Sequence, residues 1–179
     1  MSNSNRLPDV LTEAEQESLL SQPNPRYPTG QRNYILLRIM LDTGLRSSEA
    51  VSLKWEHVNL MSGKLMVKEG KGAKDRNLWL DADNIDLLCD WKERQVEEVA
   101  YDCEYIFTTL EGSPIKPRYL REMVSRYAKK AGIAKRVSPH TLRHCFATDL
   151  YRKTKKIRLV QKAFGYSDLS TTMIYTPHC

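Results

Sequence analysis

Apolar residues recur at three- and four-residue spacing along most of this chain, which predicts a largely helical protein. The clearest case is a buried helix predicted from Gln31, whose apolar face carries Ile35 and Ile39. Gly44 fits the left-handed position that ends such a helix. Before it, Pro28 and two earlier prolines predict a non-helical loop.

The same periodicity predicts seven further helices, several of which begin at recognisable caps. Thr12 and Glu15 form a capping box, Asp81 is a candidate N-cap, and Ser138 precedes a proline as a cap should. The predicted spans are 13–20, 47–53, 82–99, 117–132, 139–151 and 157–164, and a last short helix over 170–175.

Short runs between the helical segments predict a small sheet. Strands are expected over 64–67 and 77–80, with the polar, glycine-containing segment 69–76 as the hairpin between them. A short third strand is expected over 105–108. Because strands and helices do not alternate as they do around a parallel sheet, the predicted fold class is mostly α with a small antiparallel β-sheet (α+β).

Basic residues are concentrated in one part of the chain, which has a net charge of +6 overall. Residues 116–162 contain 15 Lys or Arg and only two acids, whereas the rest contains 13 basic and 20 acidic residues. A segment this one-sided repels itself unless a polyanion neutralises it, and nucleic acid is the commonest such partner. A nucleic-acid partner is therefore expected.

The bulk composition is typical of one intracellular domain. The first six residues are polar, and residues 7–179 are long enough for one sizeable core. No apolar stretch is long enough to cross a bilayer, and no signal peptide is recognisable, which predicts a cytoplasmic protein. The four cysteines lack metal-site spacing and are expected to be reduced, with Cys89 and Cys145 in the core.

Four segments carry candidate chemistry, although two of them are unremarkable alone. Residues 43–49 read Thr-Gly-Leu-Arg-Ser-Ser-Glu, where Arg46 by itself suggests only a surface ion pair with Glu49. Lys71 lies between two glycines at the tip of the predicted hairpin, where a lysine is ordinarily solvated.

The third segment, residues 140–144, reads His-Thr-Leu-Arg-His at the start of a predicted helix. His140, Arg143 and His144 are three and four residues apart and can share one face. A zinc site is disfavoured because the glutamate of a His-Glu-x-x-His motif is absent and an arginine lies beside the histidines. The fourth segment, 169–175, reads Leu-Ser-Thr-Thr-Met-Ile-Tyr and ends at Tyr175.

In this order and at these separations, the four segments resemble the catalytic domain of the tyrosine recombinases, the family of phage integrases and Xer-type recombinases. The resemblance extends from about Leu7 to Tyr175 and implies that family's fold and its activity. That activity is site-specific cleavage and rejoining of DNA strands through a covalent 3′-phosphotyrosyl intermediate. It also implies double-stranded DNA as the partner, a synaptic tetramer on the DNA, and a place at the nucleoid.

The resemblance assigns a role to each residue of the site. Tyr175 is the nucleophile and His140 its base, Arg46 and Arg143 bind the scissile phosphate, and Lys71 is the general acid. Glu49 and His144 are supporting residues. No metal or cofactor is expected, because these cations replace the metals of other phosphoryl-transfer sites. The basic residues expected to bind DNA are Lys116, Arg118, Arg121, Lys129, Lys130, Lys135 and Arg136.

The chain departs from the family pattern at one position and at both ends. Tyr166 follows Gly165 where the family usually has His or Trp, and it is expected to donate to the same phosphate. The pattern begins and ends close to the termini, so an N-terminal DNA-binding domain and a C-terminal helix are expected to be missing. Two alternatives stay open: a type IB topoisomerase-like enzyme, and a catalytically impaired DNA-binding module of the same fold.

Overall fold

The computed structural model describes residues 9–68, 75–99 and 101–164. Within them the chain forms seven α-helices, one 3-10 turn at Trp55–His57 and a two-stranded antiparallel sheet. In chain order the elements are α1 (Glu13–Leu20), α2 (Pro28–Thr43), α3 (Ser47–Val51), β1 (Lys64–Val67), β2 (Arg76–Trp79), α4 (Ala82–Val99), α5 (Pro117–Lys130), α6 (Pro139–Thr154) and α7 (Ile157–Phe164). The predicted fold class is confirmed.

Helix α2 is the centre of the core. Most of its residues are buried, and it packs against both α4 and α6. It begins at Pro28, three residues earlier than predicted, because a proline in the first turn needs no amide hydrogen bond. It ends at Gly44, whose φ of 70° is the left-handed conformation that favours glycine.

The predicted caps of the other helices are confirmed where the structure describes them. Thr12 and Glu15 form both bonds of the capping box at α1, and the Asp81 side chain accepts from the Asn84 amide at the start of α4. Ser138 and Thr141 form the capping box of α6. The last predicted helix, over 170–175, lies outside the described residues.

The two strands pair with Lys64 opposite Trp79 and Val67 opposite Arg76. The second strand therefore begins one residue earlier than predicted. Its inward positions are Arg76 and Leu78, and its outward positions are Asn77 and Trp79. The hairpin tip over 69–74 lies outside the described residues.

The third strand predicted over 105–108 is wrong. Tyr105 and Thr108 each form only an isolated bridge, and side chains of α4 also donate to carbonyls of the segment. Trp91 donates to the Ile106 carbonyl at 2.7 Å, and the Gln95 amide donates to the carbonyls of Tyr105 and Ile106. The backbone of the segment also bonds to two separate parts of the chain: Ile106 N–H donates to the Leu53 carbonyl at 3.0 Å, and the Phe107 carbonyl accepts from Ile115 N–H at 3.1 Å. Neither pairing extends far enough to form a strand.

No helix in the described part of the chain is both long and apolar enough to span a membrane.

Candidate active site

Arg46 and Glu49 lie together at the junction between α2 and α3. After the turn at Gly44, the chain is extended at Arg46, and α3 then begins, with Glu49 in its first turn. Nη1 of Arg46 is 3.8 Å from Oε1 of Glu49. The Arg46 side chain is 45% exposed while that of Glu49 is only 9% exposed. The arginine therefore faces solvent, and the carboxylate lies beside it in the protein interior.

A pocket of about 250 Å³ opens beside this pair, and we call it the active-site pocket. It lies between α3 and the end of β1. Its lining residues are Arg46, Ser48, Glu49, Ser52, Leu53, His57, Val67 and Lys68.

Arg143 joins the third predicted segment to the first. Its guanidinium is buried, with the residue only 2% exposed, and Nη1 donates to the Gly44 carbonyl at 2.6 Å. Gly44 and Arg143 are 99 positions apart in sequence. Because Gly44 is two residues before Arg46, the bond holds Arg143 next to the segment that carries Arg46. The packing of α6 against α2 brings the two arginine segments to one place.

His140 and His144 lie on the same face of α6, one turn apart. Their ring centroids are 4.3 Å apart in an edge-to-face arrangement. His140 is exposed, whereas His144 is 8% exposed. Burial, together with electrostatic interactions with His140 and Arg143, lowers the pKa of His144 to about 4. His144 is therefore neutral at physiological pH, which suits a structural partner of the helix better than a proton donor.

Three of the predicted residues, Lys71, Tyr166 and Tyr175, lie outside the described residues. The chain on either side of the hairpin is nonetheless informative. Lys68 lines the active-site pocket and pairs with Asp75 at 2.9 Å across the base of the hairpin.

Arg76 is a residue of this region that the sequence reasoning missed. Its side chain is 8% exposed, Nη2 lies 2.6 Å from Oε2 of Glu49, and Nε donates to the carbonyl of Ala163 at 2.9 Å. The signal was available in the alternation of the strand, since Arg76 has the same inward parity as Leu78. The predicted strand began at Asn77, which left Arg76 in the hairpin.

Most of the basic residues expected to bind DNA form an exposed surface along α5 and the following loop. A groove of about 660 Å³ runs along this surface, and we call it the basic groove. It is lined by Arg121, Glu122, Ser125, Arg126, Lys129, Lys130, Arg136, Val137 and Ser138. Ser138 is also the N-cap of α6, so the basic groove ends where the helix carrying His140 and Arg143 begins.

Two basic residues near this surface have surroundings that the sequence did not indicate. Arg126 is exposed in the basic groove although it was not selected from the sequence. Lys135 is only partly exposed and contacts the N-terminal part of the described chain. Its Nζ is 2.7 Å from Oε1 of Glu15 and donates to the Val10 carbonyl at 3.0 Å. Lys116 and Arg118 are exposed at the start of α5, with Arg118 paired to Glu122 at 2.9 Å.

Within residues 9–68, 75–99 and 101–164, no three His, Cys, Asp or Glu side chains are placed so that they could hold a metal ion together. The active-site pocket is lined by two cationic side chains, Arg46 and Lys68. A guanidinium such as that of Arg46 can bind an anionic group with two donors at a time.

Comparison with known proteins points to one group. The sequence model of the phage integrase family matches residues 9–178. The tyrosine recombinase XerD of Ralstonia nicotianae is 38% identical over 175 residues, which are 96% of this chain and 56% of XerD.

Two solved structures share the fold. The crystal structure of XerA recombinase superposes with a TM-score of 0.85 at 30% identity, covering 97% of this chain and 62% of that one. The XerH site-specific recombinase, solved in a post-cleavage complex with a palindromic difH substrate, gives 0.83 at 34% identity, covering 98% and 52%. This chain thus spans a little over half the length of the curated relatives that it matches.

Proposed function

Because the chain belongs to the phage integrase family, we propose that it cleaves and rejoins DNA strands at specific sites through a covalent 3′-phosphotyrosyl intermediate. The observation that carries the proposal is the bond between Arg143 and the Gly44 carbonyl. It brings two distant arginine segments together beside the active-site pocket, as a phosphate clamp requires. The similarity to XerD and to the DNA-bound XerH supports the same reaction.

The first step is attack by the Tyr175 hydroxyl on the scissile phosphorus. A phenol with a pKa near 10 is a weak nucleophile at neutral pH, so it needs an acceptor for its proton. His140 fills this role, since it is exposed on the first turn of α6. The bond from phosphorus to the 5′-oxygen breaks as the tyrosyl ester forms. The ester keeps the bond energy for a later attack by another DNA hydroxyl.

The second requirement is to stabilise the negative charge that builds on the non-bridging oxygens as the phosphorus becomes five-coordinate. Arg46 and Arg143 donate to these oxygens, and Glu49 is paired with Arg46. Tyr166 donates one further hydrogen bond where the family usually has His or Trp. Lys71 gives its proton to the leaving 5′-oxygen.

Double-stranded DNA is the proposed partner, held by phosphate contacts along the basic groove. Five of the nine groove residues are Lys or Arg, and one is an acid. Such a surface binds the backbone without reading sequence, and its affinity depends on salt. Exchange between two DNA sites requires more than one protomer, and we propose a synaptic tetramer on the DNA. A protein with this activity works in the cytoplasm, at the nucleoid.

The proposal is tested by trapping protein on a pool of nicked duplexes with randomised sequence around the nick. Cleavage near a nick releases a short oligonucleotide, so religation fails and the covalent complex accumulates. The wild type should form a complex that survives denaturing electrophoresis. Tyr175→Phe should form none while its DNA affinity stays within a few-fold, since the lost hydroxyl neutralises no phosphate.

Other outcomes would favour the alternatives. DNA binding by the wild type without any covalent complex would indicate a binding module that lacks catalysis. A covalent complex, together with relaxation of supercoiled plasmid but no exchange between two sites, would indicate a topoisomerase-like enzyme. Full adduct from Tyr175→Phe would place the nucleophile elsewhere.

A further inference from the structure

The buried guanidinium of Arg76 connects three parts of the molecule that are distant in sequence. It begins strand β2, five residues after Lys71 in the sequence. Its two short bonds lead to the Glu49 carboxylate in α3 and to the Ala163 carbonyl in the last turn of α7. Both partners belong to elements that the proposed function needs.

The contact with Glu49 reaches the phosphate-binding arginine. Oε2 of Glu49 is 2.6 Å from Arg76, and Oε1 is 3.8 Å from Arg46. One carboxylate therefore lies between a buried arginine and a half-exposed one. Arg76 and Glu49 are both more than nine-tenths buried, and their short bond restrains the carboxylate. The other carboxylate oxygen, Oε1, has no hydrogen-bond partner among the described residues and lies within ion-pair distance of Arg46.

The contact with Ala163 fixes the end of α7. The last carbonyls of a helix have no partner within the helix, and a cation near them is favourable. Arg76 supplies both the donor and the charge. In sequence, Ala163 is three residues before Tyr166 and twelve before Tyr175. The Arg76 bond thus anchors the last described turn before the segment with both tyrosines.

We propose that Arg76 is a positioning residue for DNA cleavage, which holds the carboxylate beneath Arg46 and the end of α7 in a fixed relation. It acts through these two groups and does not contact the DNA itself. The inference rests on the proposed function, because it concerns the rate of that reaction. It also makes a claim about α7 that does not depend on any reaction.

Two substitutions separate the contributions of charge and geometry. Arg76→Met removes both bonds. Arg76→Lys keeps a positive charge beside Glu49, but a single ammonium cannot reproduce two donors spaced along a planar fork. Arg38→Met is the matched control, because Arg38 also pairs with a carboxylate, Asp42 at 3.1 Å, within its own helix.

The experiment measures three quantities on the full chain: hydrogen exchange of the amides in 157–164, affinity for duplex DNA, and the single-turnover rate of adduct formation. We expect both Arg76 variants to exchange faster in α7 and to bind DNA within about three-fold of the wild type, since no phosphate contact is lost. The adduct should form about 10- to 100-fold more slowly, the cost of misplacing reacting groups by about 1 Å. Arg38→Met should match the wild type in all three.

Several results would overturn the inference. Unchanged exchange in α7 would show that Arg76 does not fix that helix, whether or not the protein cleaves DNA. Equal losses of affinity and rate would show a general structural role. If Arg76→Met does not fold, Arg76→Lys alone decides, and a wild-type rate from it contradicts the proposal. Absence of adduct from the wild type refutes the proposed function, whereas the exchange result still tests Arg76.

Discussion

The two histidines of α6 lie one turn apart on the same face but differ in how far they are exposed. His140 is exposed and available to a substrate, while His144 is buried against it. Both were selected from one five-residue segment, and only the three-dimensional surroundings distinguish them. The sequence could place them on one face, but it could not state how deeply each would be buried.

The lowered pKa of His144 predicts a particular dependence of stability on pH. The unfolded chain takes up a proton near pH 6.5, whereas the folded protein does so only near pH 4. Between these values the unfolded state binds more protons, so stability falls as the pH falls. The loss attributable to His144 should be about 1–3 kcal/mol between pH 7 and pH 4.5.

The measurement is urea denaturation at both pH values for the wild type, His144→Gln and the control His140→Gln. Carboxylates such as Glu15, whose pKa is lowered by Lys135, add a similar slope to all three proteins. The His144→Gln protein should therefore lose less stability on acidification than the other two. Identical slopes for the wild type and His144→Gln would refute the assignment.

Arg76 was missed for a reason that applies to polar residues in general. An arginine beside Lys74 and Asp75 reads as part of a solvated hairpin, and its burial depends on α3 and α7, which are remote in sequence. Inward parity with Leu78 was the only local sign. By contrast, Arg46 and Arg143 were found because each lies in a segment that resembles a family motif.

At the scale of elements, the sequence located the helix starts that depend on residues close by in the chain. Capping residues located the starts of α1, α4 and α6, because a cap satisfies backbone groups within its own turn. The start of α5 was located by Pro117, which suits the first helical position. The strand predicted over 105–108 failed because the segment forms only two isolated bridges, to Lys54 and to Pro114, and a strand pattern does not show how far a pairing will extend. The start of α2 failed because prolines were taken to exclude a helix that in fact begins on one of them.

The basic groove and the Lys135 contact give opposite expectations for the DNA affinity and the stability of two lysine variants, one double and one single. Lys129→Ala combined with Lys130→Ala should weaken duplex binding and reduce the slope of log K against log salt by about 1 to 2, because each phosphate contact releases counterions. Stability should hardly change, since both side chains are exposed. Lys135→Ala should leave the salt slope unchanged and lower stability by about 1 kcal/mol, since it removes the contacts to Glu15 and Val10.

Fluorescence anisotropy over a range of salt concentrations and urea denaturation measure these effects. The two proteins serve as controls for each other. A reduced salt slope for Lys135→Ala, or none for the double variant, would mean that DNA lies on a different face.

For the whole molecule, the fold and the family could be predicted from four short segments in a fixed order. The first and third segments meet through the long-range packing of α6 against α2, which the sequence indicated only through the resemblance. The bond from Arg143 to the Gly44 carbonyl joins them at that contact. Lys71, Tyr166 and Tyr175 keep the roles proposed from the sequence, and experiment must test them.

The identity of the nucleophile is the central claim, and it can be measured directly. The covalent complex from the nicked duplex pool is digested with nuclease and then with a protease that cuts before aspartate. Cleavage before Asp168 separates Tyr166 from Tyr175 into different peptides. Mass spectrometry should find the residual nucleotide on the peptide 168–179, at Tyr175. A nucleotide on the peptide that contains Tyr166, or on any other residue, would contradict the account.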